Sequence, residues 1–213
     1  YLDCVSGACV YDLKEKKTLY SQALDPGIVK KLMEFGMEEG AMIHVLSERS
    51  IVQKDQQSHM ADFHMGIYQT MFDQITDKLE NIYNSFCEEP FPVLKLNLYH
   101  RDEASRARTV ERIKAAGLET ALALAESTSL ECSDKGIDKG VGLKKLCEHL
   151  GLPLEQTIAV GDADNDTMAL KTAGLAVAMG NATEPIKALA DVIVADCDHN
   201  GCAEAIDKYL LAD

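Results

Sequence analysis

Three aspartates, Asp162, Asp164 and Asp166, fall within five positions of the stretch TIAVGDADNDTMAL (157–170), directly after an apolar run. In parallel α/β sheets ligands gather at the carboxyl ends of strands, and Asp162 stands at such an end, in the turn leading into a helix. Asn165 and Asp166 lie in or near the first turn of that helix, where free N–H groups and the dipole favour anions. Tolerance of the charges follows from this, but their crowding does not. Two carboxylates about 4 Å apart repel by roughly 4 kcal/mol at an effective dielectric near 20, so a bound cation explains the cluster best. The D-x-D-x-D spacing matches the start of a calcium loop, yet that loop requires Gly where Thr167 stands and Glu where Ala173 stands. Magnesium takes one or two carboxylates, keeps several waters and binds substrate phosphate, which suits a strand-end aspartate better. The plain alternative makes Asp162 a residue at a helix start and Asp166 a partner of the helix dipole.

From about Lys139 onward, short apolar runs alternate with segments of helical period, as in parallel strands joined by crossover helices. In GVGLKKLCEHLG, residues Leu143, Leu146, Cys147 and Leu150 share one helix face and Gly151 is a natural stop. TIAVG reads as a strand buried on both faces, NDTMALKTAG as a helix and LAVAMG as a second strand. Thr183 can cap the helix EPIKALA, with Pro185 in its first turn, before the strand DVIVA and the helix GCAEAIDKYLL. Before Lys139 the texture is α+β. TMFDQITDKLENIYNSF and ASRARTVERIKAAG read as amphipathic helices, PVLKLNLYH and TSLEC as strands, and QKDQQSHMADFHMG is ambiguous. The opening, Tyr1 to Val10, reads as a strand with a turn at Ser6 and Gly7.

Of 213 residues, 46% are hydrophobic and 26% charged, enough apolar mass for one large domain or a core with a smaller second domain. No apolar run nears the roughly 18 residues needed to span a bilayer, and the N-terminus lacks signal-peptide character, so a cytoplasmic location is expected. Thirty-five acidic against 21 basic side chains give a net charge of −14, which disfavours nucleic acid and anionic membranes as partners. An anionic substrate then needs a local cation. The seven cysteines form no C-x-x-C pair and read as reduced thiols.

The run GDADNDTMALKTAGLAVAMGNATEPIKALADVIV, with DKGVGLKKLCEHLGL before it, resembles the haloacid dehalogenase superfamily, in particular its Cof-like phosphatases with a type IIB cap. The similarity covers Lys139 to Leu211 closely and the preceding segment more loosely. It implies a Rossmann-like parallel-sheet core, incomplete at the N-terminus, with an inserted α+β cap: core at 1–11, cap at 12–133, core at 134–213. By that resemblance Asp162 binds Mg²⁺ and Asn165 contacts the substrate phosphate, while Asp166 supports the metal shell or the neighbouring lysine. Lys139 matches the lysine of the family's third motif. Phosphoryl transfer is mainly positioning and charge stabilisation, so a fixed ammonium beside the ion has a clear use there. Lys135 competes for the role, but Lys139 abuts the helix directly.

The family's nucleophile, in a D-x-D-G-T motif, has no match here. YLDCVSGACVYD instead resembles the segment just before the cap, with Ser6 where Asn is usual, so the chain reads as a fragment. The implied chemistry is hydrolysis of small phosphorylated metabolites such as sugar phosphates through an aspartyl-phosphate, with this chain expected to be inactive by itself. A phosphomutase and a non-catalytic phosphate- or metal-binding module are the rivals; oligomeric state is not legible. VLSERS, with Ser47 and Arg49, fails as a second motif because no nucleophile strand precedes it. Cys197, His199 and Cys202 lack a fourth zinc ligand and read as a loop. His59 and His64 read as cap loop residues, and Arg101, Arg106, Arg108 and Arg112 as a solvated helix face balanced by Asp102, Glu103 and Glu111.

Overall fold

The computed structural model describes residues 1–126 and 128–211. The chain divides into two units, Tyr1–Ser21 with Ile137–Asp213, and Gln22–Gly136. The boundaries expected at 11/12 and 133/134 fall within the strands Cys9–Asp12 and Ser129–Asp134. The first unit opens with β1 (Leu2–Cys4), β2 (Cys9–Asp12) and β3 (Lys17–Ser21), antiparallel in that order. Positive φ at Val5, Ser6 and Gly7 turns the chain back, so the opening is a hairpin in which Cys4 faces Cys9.

The second unit comprises α1 (Pro26–Glu38), β4 (Met42–Leu46), β5 (Ser50–Gln53), α2 (Lys54–Gln57), α3 (Gln69–Ile75), β6 (Thr76–Leu79), α4 (Ile82–Glu88), β7 (Lys95–Tyr99), α5 (Glu103–Ala115), β8 (Thr120–Ala125) and β9 (Ser129–Asp134). Its strands form one sheet in the order β6-β5-β4-β7-β9-β8. Strand alternation sends Ile43, Val45, Leu96, Leu98, Leu130 and Cys132 to one face, where they form a core with Leu32, Met33, Ile82, Phe86 and Ile113 of α1, α4 and α5. Met42, Val52 and Tyr99 on the other face join Met60, Phe63, Met65 and Phe72 in a second cluster. The single helix expected over TMFDQITDKLENIYNSF is corrected. Residues Thr76–Leu79 pair in parallel with Ser50–Gln53, and Asn81 starts a fresh helix by accepting from the Asn84 N–H at 2.8 Å. Satisfying a sheet edge outweighs the helical period there.

Returning to the first unit, the chain forms α6 (Lys139–Leu150), β10 (Ile158–Gly161), α7 (Thr167–Thr172), β11 (Leu175–Ala178), α8 (Glu184–Lys187), β12 (Val192–Ile193) and α9 (Gly201–Ala205). Strands β10, β11 and β12 are parallel in that order. Gly151 ends α6 in the left-handed conformation, φ 65°. Thr183 sits at the start of α8 but its side chain makes no capping bond. The expected burial of β10 on both faces does not hold: Val160 is 37% exposed, because β10 is an outer strand of this sheet. No helix of the described residues is long and apolar enough to cross a membrane.

Candidate functional site

The site grows from the carboxyl end of β10. Gly161 is buried, and a side chain there would strike the Asp166 carboxylate, so glycine is what lets that carboxylate fold back over the strand end. Asp166 is itself buried. Its Oδ2 accepts the backbone N–H groups of Asp162 at 3.0 Å and Ala163 at 3.2 Å, closing the turn as an acidic residue in a first helical turn does. Its Oδ1 accepts from Lys139 Nζ at 2.6 Å. Burial pushes the Asp166 carboxyl upward, but the Lys139 bond and the two backbone donors outweigh it and hold the group below the ordinary carboxylate range.

Lys139 is the first residue of α6, where a cation meets the positive end of the helix dipole. Asp138 offsets this by capping the helix, accepting from Gly140 N at 2.8 Å and Val141 N at 3.0 Å. The ion pair with Asp166 completes the compensation, leaving Lys139 about one-third exposed against 13% for its partner. Asp3 of β1 lies within electrostatic reach of the same lysine. The residue is exposed overall, yet its carboxylate rests against Gly142 of α6, so that burial pushes it up to about 6 while Lys139 pulls the other way.

The Asp162 carboxylate is exposed and accepts from Asn181 Nδ2 at 2.9 Å; Asn181 Oδ1 in turn accepts the Cys197 N–H at 3.0 Å. The Asp162 carbonyl accepts from Thr183 N at 3.2 Å. Loops after β10, β11 and β12 are thereby tied into one surface. Asn165 is exposed in the short turn Asp164–Asp166.

Lys139 and Asp166 are thus in direct contact, Asp162 is their neighbour through its backbone, and Asn165 shares the turn. The crowding inferred from sequence is resolved differently from expectation. Asp166 is neutralised by a lysine and backbone donors, Asp162 meets Asn181, and among the described residues no group of three or more acidic, His or Cys side chains converges on a metal position. The exposed Asp162 carboxylate, which accepts from Asn181, is a donor set that fits an ion keeping most of its waters, as Mg²⁺ does, and not one caged by protein.

Three residues escaped the sequence reading. Asn181 was readable as the Asn of GNA at the end of β11, and Asp138 as an acidic residue directly before a helix. Asp3 carried no local signal. Among the other groups, Ser47 and Arg49 lie in the β4–β5 turn, with Arg49 paired to Asp77 at 2.9 Å. His199 Nδ1 lies 2.6 Å from Asp196 Oδ1. His59 reaches the Asp55 carbonyl at 2.9 Å and His64 the Arg101 carbonyl at 3.0 Å. The arginines do not pair as expected. Arg108 and Arg112 reach across to Glu38 and Glu39 at the end of α1, Arg101 pairs with Asp62, and Asp102 caps α5 instead.

A sequence profile of haloacid dehalogenase-like hydrolases matches residues 1–206. Over 83 residues the chain is 46% identical to the phosphatase YwpJ of Bacillus subtilis, a match covering 39% of this chain and 29% of that protein. Among solved structures, a haloacid dehalogenase-like hydrolase from Bacteroides thetaiotaomicron superposes with a TM-score of 0.79 at 25% identity, covering 95% of this chain and 74% of that one. A subclass IIB sugar phosphatase has the same fold, with a TM-score of 0.77 at 20% identity over 97% of this chain and 74% of that one. The chain's matches to its first curated relatives span a third or less of their lengths. With its parallel core strands and the profile match over nearly all its length, this chain belongs to the haloacid dehalogenase-like hydrolase family.

Proposed function

We propose that the site at the end of β10 binds the phosphate group of a small phosphorylated metabolite, of the sugar phosphate kind, and serves its magnesium-dependent hydrolysis in the cytoplasm. The observation that carries this reading is the lysine held 2.6 Å from a buried aspartate beside the exposed Asp162. In a protein with net charge −14, that is where an anion finds a fixed positive charge. Lys139 is oriented by Asp166, so its ammonium meets a phosphate oxygen without first giving up rotamer freedom. Asn165 offers an amide donor to the same phosphate. Asp162, steadied by Asn181, is the residue that would hold Mg²⁺, which when bound neutralises phosphate charge and polarises the phosphorus. The printed names of similar proteins, phosphatase and sugar phosphatase, support the reaction class.

An aspartyl-phosphate route needs a D-x-D-G-T nucleophile, and that motif does not occur in these 213 residues. This observation favours the second reading, that the polypeptide by itself is a phosphate- and metal-binding module. Calorimetry with MgCl₂ and inorganic phosphate, together with p-nitrophenyl phosphate assays, tests both. Magnesium binding that strengthens with phosphate, is lost in Asp162→Ala and is accompanied by no turnover is the expected result. Turnover by this chain would overturn the inactivity, and unchanged magnesium binding in Asp162→Ala would overturn the site.

A further inference from the structure

The hairpin that opens the first unit carries two thiols in one register. Cys4 of β1 and Cys9 of β2 are direct partners across the antiparallel pair, beside the partners Asp3 and Val10. Directly opposed residues point to the same face, with Cβ atoms about 4.5–5.5 Å apart. A disulfide needs about 3.5–4.5 Å between its Cβ atoms, so a small closure of the two strands joins these sulfurs. Among the described residues no other two cysteines are partners in a strand ladder. Cys197 and Cys202 have the same separation in sequence, but they stand in a short turn and in α9, with Cys202 Sγ 3.8 Å from Met179 Sδ.

Strand alternation turns Asp3 and Val10 to one face, where Val10 is fully buried and the Asp3 carboxylate rests on Gly142 of α6, and turns the two cysteines to the other. Both thiols are free and half-buried, and Leu2 on their face is exposed, so a small reagent reaches them. Residues 5–8 join the strands. Val5 and Ser6 stand at φ 56° and Gly7 at φ 94°, with Gly7 against the Asp138 carbonyl at the start of α6. The left-handed region disfavours a branched residue such as Val5, so the turn is held by its surroundings, and a covalent bridge at its base would fix it. Burial pushes the Cys4 thiol up and Asp3 adds to it; burial, then Cys4, then Asp3 do the same to Cys9. A thiol so raised is mostly protonated at neutral pH while its thiolate is the stronger nucleophile, so the pair rests as a dithiol in reducing conditions and exchanges faster as pH rises.

We infer that Cys4 and Cys9 form a reversible modification site, a dithiol that a low-molecular-weight disulfide such as oxidised glutathione converts to an intrachain disulfide clasping the β1–β2 hairpin. One thiol gives up its proton and attacks a glutathione sulfur, forming a mixed disulfide and releasing one glutathione thiolate, which takes a proton. The second thiol, likewise deprotonated, attacks the protein sulfur of the mixed disulfide and expels the second glutathione. Two electrons and two protons thus pass from the pair to oxidised glutathione, which leaves as two thiols. The inference stands apart from the phosphate site, and its test contains neither phosphate nor magnesium.

The 213-residue chain with Cys197→Ser, which removes the other pair of that spacing, is equilibrated in glutathione buffers of graded ratio, alkylated, digested with trypsin and weighed by mass spectrometry. Residues 1–14 hold Cys4 and Cys9 with no Lys or Arg before Lys14, so they leave as one peptide. In oxidising buffer this peptide is two hydrogens lighter and unalkylated, and dithiothreitol restores it. The equilibrium constant for the bridge is at least about tenfold larger in the folded chain than in concentrated urea, where only nearness in sequence remains. Phenylarsine oxide, which condenses with two neighbouring thiols and releases one water, binds the folded chain at least about 100-fold more tightly than it binds Cys4→Ser or Cys9→Ser. Alkylation of both cysteines in excess oxidised glutathione, a constant no larger in the folded chain than in urea, or arsenical binding undiminished in both variants would overturn the proposal.

Discussion

At the scale of single residues, Lys139 shows how a charge can be placed against its local preference. The α6 dipole opposes a cation in its first turn, an effect of about 0.3–1 kcal/mol. One hydrogen bond to a charged partner, about 1.5–3 kcal/mol, is larger, and Asp166 supplies it. Asp3 is the counter-case, a carboxylate whose environment does not favour ionisation. Its folded pKa of about 6 exceeds the ordinary 3.8, so between those values the folded chain holds the proton more tightly than the unfolded one. Stability therefore falls as pH rises from about 4 to about 6 and stays lowered above that. Asp3→Asn should raise the urea midpoint at pH 7.5 and lose its advantage near pH 4. An equal effect at both pH values would contradict this account of the carboxylate.

Among the elements, the contact of β1 with α6 is the most tightly specified. A methyl group on Gly142 would fall on the Asp3 carboxylate, and one on Gly7, at φ 94°, on the Asp138 carbonyl. For Gly142→Ala two effects compete. Helix propensity favours alanine by about 1 kcal/mol, while forcing extra volume into a packed contact costs about 1–3 kcal/mol. The clash should win, giving a destabilised single variant, and Asp3→Ala in the same chain should restore or exceed wild-type stability. A double-mutant cycle on chemical denaturation measures the coupling. In the second unit, by contrast, α5 is held to α1 and the sheet by apolar burial. Ile113, Leu32 and Leu98 are essentially inaccessible, each worth roughly 1.5–3 kcal/mol, whereas exposed ion pairs such as that of Arg101 with Asp62 contribute little.

For the molecule as a whole, the second unit is one uninterrupted stretch of chain, Gln22–Gly136, with cores of its own on both faces of a six-stranded sheet. The first unit is assembled from two separated stretches and splits its strands between two three-stranded sheets. Expressed alone, residues 22–136 should fold with a cooperative urea transition and native near-ultraviolet dichroism, and the intact chain should unfold in more than one step. A single transition with coincident probes in the intact chain, together with an unfolded isolated segment, would show that the two units depend on each other.

The amino-acid sequence by itself determined much of what is local. The helix from Lys139 to Gly151, the parallel strands after it, the family and the identity of the candidate site residues are written in adjacent positions, where periodicity, glycine stops and turn chemistry act between near neighbours. Tertiary structure alone decided what depends on distant partners. Thr76–Leu79 became a strand because Ser50–Gln53 lay open beside it, and Arg108 and Arg112 found Glu39 across a helix pair. Asn181 found Asp162 from the loop after the next strand. The reason is the same in each case. A hydrogen bond or ion pair between residues far apart in the chain is chosen by which surfaces the core brings together, and that choice is not contained in either residue's own neighbourhood.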